Sequence, residues 1–209
     1  MQAARYRRDD SRFHRRVVLS RDPRYLSDLK RLSRESPGIV DAIMGPEYLK
    51  ASDDRAAAII VSTHLEDQLK ELILSKMIHL TQTEIGELFV GDSPLATFGA
   101  KVHLAYALGL IGKLSRQDLN LVRLIRNAFA HARKPIQFNT NEVATACEKL
   151  TLPDRYQAIE RWKGIEQPMD TPRLRFVATV KLYEIGIMYA IRPELHTLDD
   201  DHHPVVPLD

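Results

Sequence analysis

The segment Ser115-Arg116-Gln117-Asp118-Leu119-Asn120-Leu121-Val122-Arg123-Leu124-Ile125-Arg126-Asn127-Ala128-Phe129-Ala130-His131-Ala132-Arg133 decides the fold class. Its apolar positions Leu121, Val122, Ile125, Phe129 and Ala132 recur at intervals of three and four. That is the period of a helix with one face turned inward, not the alternation of a strand. Ser115 is a favourable N-cap residue, Asp118 stands at capping-box spacing from it, and Leu114 can staple onto Leu119 across the first turn. The spacing predicts a capped amphipathic helix.

The same period extends outward on both sides. No Pro interrupts the chain between Pro46 and Pro94 or between Pro94 and Pro135, which leaves two long windows free for helices. From Asp53 to Lys76, the residues Ala57, Ile60, Val61, Leu65, Leu69, Leu72 and Ile73 line one helical face. A second helix is expected from Ser93, as cap, and Pro94, at the first position, through Phe98, Val102 and Ala105 to Gly109. Shorter helices are expected over Asn141 to Leu150 and Arg155 to Lys163. A long one begins at Thr171-Pro172 and runs to Ile191. Tyr25, Leu26, Leu29 and Leu32 also have helical spacing. The expected fold is an all-α, single-domain helical bundle over residues 21–195, with a basic, flexible head over 1–20 and an acidic, disordered tail over 196–209.

Composition agrees with a folded domain. The 209 residues are 44% apolar and 28% charged, which excludes collagenous, low-complexity and disordered classes. One Cys excludes an internal disulfide framework and a thiolate zinc cage, and it fits a reducing compartment, so a cytoplasmic location is expected. No apolar stretch approaches the ~18 residues of a membrane span, and no membrane partner is expected. The net charge of +2 conceals an asymmetry: residues 1–36 hold 11 basic against 5 acidic side chains, whereas Asp199, Asp200, Asp201 and Asp209 charge the tail.

One segment carries a chemical signature. Asn127 and His131 are four apart and share a helix face, and Arg126 adjoins Asn127. In metal-independent RNA cleavage, a His moves the proton of a 2′-hydroxyl, an Arg neutralises the developing phosphorane charge, and an Asn orients. The bland alternative is structural, because Arg and His in a last turn suit the helix dipole and Asn127 with His131 can satisfy backbone groups or Glu66.

Arg126-Asn127-x-x-x-His131 resembles the motif of the HEPN helical-bundle superfamily. That resemblance implies a nuclease site composite across a homodimer. The run Pro94-Leu95-Ala96-Thr97-Phe98-Gly99-Ala100-Lys101-Val102-His103-Leu104-Ala105-Tyr106-Ala107-Leu108-Gly109-Leu110-Ile111, with Asp118-Leu119 and Arg126-Asn127-x-Phe129-Ala130-His131, is similar to the MltR family of mannitol-operon repressor-like proteins. This likeness covers Ala57 to Ala132, including Thr63-His64-Leu65-Glu66. It implies an all-α fold and a transcription-regulatory label, although the chain shows no helix-turn-helix, so a homodimer acting through protein partners rather than by reading DNA sequence is expected. The expectation is thus a non-enzymatic regulatory protein, with a HEPN-type endoribonuclease as the alternative and Arg126, Asn127 and His131 as its catalytic residues.

Other candidates are weaker. Arg5, Arg7, Arg8, Arg12, Arg15 and Arg16, with Tyr6 and Phe13 between them, could follow an RNA or DNA backbone. His64 and Glu66 are two apart and do not form a helical metal pair, and the Asp199–Asp201 run with His202 and His203 reads as a solvated tail; no metal and no cofactor are expected. His103 is expected to be partly buried and hydrogen-bonded, and Cys147 to be a buried thiol among Val143, Ala146 and Leu150.

Overall fold

The computed structural model describes residues 53–157, 171–193 and 208, all within the unit that spans residues 38–209. The basic head, the Tyr25–Leu32 spacing and the Asp199–His203 run lie outside the described residues. Those described form an all-α bundle of helices α1 (Asp54–Leu74), α2 (Gln82–Phe89), α3 (Phe98–Ala107), α4 (Lys113–His131), α5 (Asn141–Glu148), α6 (Leu152–Gln157) and α7 (Pro172–Ile191).

The two longest helices start where their capping residues stand. The Asp53 carboxylate accepts the Ala56 N–H at 2.7 Å to open α1. Thr171 accepts the Leu174 N–H at 3.2 Å ahead of Pro172 to open α7, as its sequence predicts. α1 is the centre of the bundle, packed against α7, α4 and α3. Its buried stripe of Ala57, Ala58, Val61, Leu65, Leu69, Leu72 and Ile73 meets Val122, Ile125 and Phe129 of α4 and Phe176, Val180 and Tyr183 of α7 in one core. Phe129, Phe138 and Phe176 stack in series at centroid separations of 4.8 and 5.3 Å.

Three expectations about local structure are corrected. α3 begins at Phe98 rather than at Ser93-Pro94, because the Thr97 hydroxyl captures the Ala100 N–H at 3.2 Å. α4 begins at Lys113 with Gly112 as its cap, so Ser115 and Asp118 are not a capping box but fully buried residues within the helix. Leu114 then points outward and is 41% exposed, which removes the proposed staple. His103 is exposed instead of partly buried.

α2 was not anticipated, yet its start is readable: Thr81 and Glu84 form a reciprocal capping box, the Glu84 carboxylate accepting the Thr81 N–H at 2.7 Å. The short helix expected over Arg155 to Lys163 begins earlier, at Leu152, and its course after Gln157 lies outside the described residues. Among the described residues no helix is long and apolar enough to cross a membrane.

Candidate functional site

α4 carries two polar centres, one at each end. The N-terminal centre is Asp118. Its carboxylate is completely buried and accepts the Thr151 N–H (2.9 Å), the Thr151 hydroxyl (3.0 Å), the Leu152 N–H (2.8 Å) and the Tyr183 hydroxyl (3.1 Å), with Arg155 Nη2 3.7 Å away. Asp118 thereby caps α6 from another helix and ties α4 to α7. Burial together with the Asp118 charge pushes the Tyr183 phenol well above its ordinary range. This arrangement holds the fold.

The C-terminal centre contains the three residues picked out by the motif. Arg126 Nη1 donates to Asn127 Oδ1 at 3.0 Å, and Arg126 Nη2 lies 3.8 Å from the Glu66 carboxylate of α1. Glu66 is shared: the Lys101 ammonium of α3, nearly buried, meets its other oxygen at 2.5 Å and also donates to the Ala96 carbonyl at 3.1 Å. Glu66 therefore pairs with Arg126 and Lys101, whereas Asn127 accepts from Arg126 instead and His131 makes no hydrogen bond with Glu66. The result is a charged staple joining α1, α3 and α4.

His131 ends the helix in an exposed position, with no hydrogen bond or ion pair among the described residues. Arg126 and Asn127 are thus brought together by a direct bond, while His131 stands one turn further on, open to solvent. The next carbonyl, that of Ala132, accepts from Arg55 Nη2 at 2.8 Å and fixes the end of α4 against the start of α1.

Between the two centres the outer side of α4 is apolar. Leu121 and Leu124 floor a groove of about 490 Å³ rimmed by His103, Arg116, Lys149 and Thr151. Leu124 is 52% exposed and Leu114 41%, so the apolar outer side of α4 is open to solvent. Arg116 lies over the Tyr106 ring, 4.1 Å from its centroid, which orients one wall of this groove. The sequence reading placed Leu121 on the inward face; Leu119 takes that buried position, and Leu121 is only half-buried.

Cys147 is fully buried on α5, and desolvation pushes its thiol up to about 12, so it is no nucleophile. His64, half-buried on α1, is lowered by its own burial and by the Lys181 charge, which favours a neutral imidazole. Among the described residues no three His, Cys, Asp or Glu side chains come together as a metal site. Compared with family models, curated proteins and solved structures, the chain matches none.

Proposed function

We propose that this protein is a non-enzymatic regulatory protein of the MltR-like kind, acting in transcription regulation as a homodimer through protein contacts. The observation that carries this reading is the outer face of α4. Leu114, Gln117, Leu121, Leu124, Ala128 and His131 alternate at intervals of three and four over the whole helix, the spacing of a helix-pairing seam, and its leucines are half-buried or exposed.

The occupant we assign to this seam is a second copy. An antiparallel α4 pair centred between Leu121 and Leu124 sets Leu121 against Leu124, Gln117 against the small Ala128, and Leu114 against His131. Each pairing recurs by symmetry, as a two-fold interface requires.

Light scattering after size exclusion tests the reading. The parent is expected to be a dimer and the Leu121→Arg/Leu124→Arg variant a monomer with an unchanged helical circular dichroism spectrum. A parent that stays monomeric at its highest soluble concentration overturns it.

A second reading draws on the exposure of His131 and the Arg126–Asn127 bond: a HEPN-type, metal-independent endoribonuclease, with Arg126 on phosphate, Asn127 orienting and His131 moving the proton. The two readings need different dimers. In the leucine-centred pair the two His131 side chains stand about 25 Å apart along the helices, too far for one composite site. Cleavage of RNA in chelator by the parent, and not by His131→Ala, would establish the nuclease and end the non-enzymatic reading. The basic head, with Arg5, Arg7, Arg8, Arg12, Arg15 and Arg16, stays with this second reading as the proposed nucleic-acid contact.

A further inference from the structure

Arg123 lies on the flank of α4, between the seam and the core, and packs across Gly99 in the first turn of α3. A Cβ at Gly99 would lie 3.5 Å from Arg123 Cδ, 3.6 Å from Nε and 3.9 Å from Cζ, with no other atom as near. The Arg123 Nε is buried, yet it has no acceptor, and the side chain makes no hydrogen bond or ion pair among the described residues. A buried guanidinium N–H left without an acceptor is costly, and a ligand that supplied one would be favoured there.

The neighbours of Arg123 add to its charge. Arg126 follows one turn later with its side chain 30% exposed, and Lys101 stands on α3; these two cations share the carboxylate of Glu66. Arg123 is the member of this group that no carboxylate reaches. Gly99 lies in the first turn of α3, where the helix dipole also favours an anion.

We propose that Arg123 and Arg126 form a binding site for a phosphate group on the α3 side of α4. A guanidinium fork is matched to phosphate oxygens, and the half-buried setting of Arg123 gives a charge-assisted bond that solvent screens less than at an open surface. The site is separate from the outward leucine seam, so its ligand and a second copy of the chain can be held together. It leaves His131 unused, does not depend on the dimer, and shares only Arg126 with the nuclease reading.

Calorimetric titration of the intact protein at constant ionic strength tests the proposal, with three probes: inorganic phosphate, glycerol phosphate and a short single-stranded RNA. The probe with the lowest half-saturation identifies the source of the phosphate group, whether a small ester or a nucleic-acid backbone. Arg123→Gln is expected to raise that half-saturation tenfold or more. Gly99→Asp keeps Arg123 but supplies it with an internal carboxylate, so it is expected to abolish binding while raising the melting temperature. Failure of all three probes to saturate the parent, or equal binding by Arg123→Gln or Gly99→Asp, overturns the site.

Discussion

The two ends of α4 use similar polar residues in opposite ways. Around Asp118, a carboxylate is enclosed and receives four hydrogen bonds from Thr151, Leu152 and Tyr183. Around Arg126, a guanidinium is held on one side by Asn127 and Glu66 while Arg123 beside it goes without an acceptor and His131 beyond it faces solvent. A completed polar network in a low-dielectric interior fixes one arrangement of helices. An incomplete one at a surface leaves donors for something outside the chain. The difference separates residues that maintain the fold from residues available to function, although both kinds sit on a single helix.

Substitutions should show this difference as a gradient in stability. Asp118→Ala should have the largest effect, about 3–5 kcal/mol, because it strands buried donors on α6 and α7 and removes the carboxylate facing Arg155; urea denaturation measures it. A loss below about 1 kcal/mol would mean that the Asp118 centre is not what locks α4 to α7.

Tyr183→Phe comes next, at about 1–2 kcal/mol at neutral pH, since the hydrogen bond donated to Asp118 and the one accepted from Arg155 are both lost with little change of volume. Its pH dependence has a definite sign. The Tyr183 phenol is raised above its ordinary 10.0 in the folded protein, so the unfolded chain releases this proton first. The contribution is intact below about pH 10 and is lost as the pH rises through the raised folded value. Denaturation profiles of parent and variant should therefore converge in alkali.

Arg126→Ala should cost less, about 0.5–1 kcal/mol, because Lys101 still neutralises Glu66 and the lost contacts are part-exposed. His131→Ala should change stability by less than about 0.5 kcal/mol, with thermal melts as the measurement. A large loss at His131 would move that residue into the structural half of the comparison and take it out of any functional reading.

These contrasts set the limit of what the residues alone could tell. α1 and α7 were legible end to end, because Asp53 and Thr171-Pro172 act within their own first turns and a long apolar period follows each. The start of α4 was misread for a physical reason: Ser115 and Asp118 are the residue types of a cap at the spacing of a capping box, but the partners of Asp118 lie 33 to 65 residues further along the chain. Only the tertiary fold brings Thr151 and Tyr183 to it. The Thr81–Glu84 box is the opposite case, since its signal is purely local and needs no tertiary partner.

In the candidate site, the adjacency of Arg126 and Asn127 was visible in the sequence. The sharing of Glu66 between Arg126 and Lys101, and the isolation of Arg123 over Gly99, depend on how α1 and α3 approach α4. No one-dimensional pattern encodes that approach.

Cys147, the chain's single thiol, sits at zero exposure where α5 packs on α7, with Arg175 Nε donating to its carbonyl at 3.1 Å. Held at about 12, it is almost entirely un-ionised at the pH of alkylating reagents, so the native protein resists modification on two counts. Any labelling then counts openings of the bundle, which makes the residue a built-in clock. Each variant's opening frequency can be timed against the parent's without introducing a probe, and ligand binding to the closed form should slow that clock in proportion to occupancy.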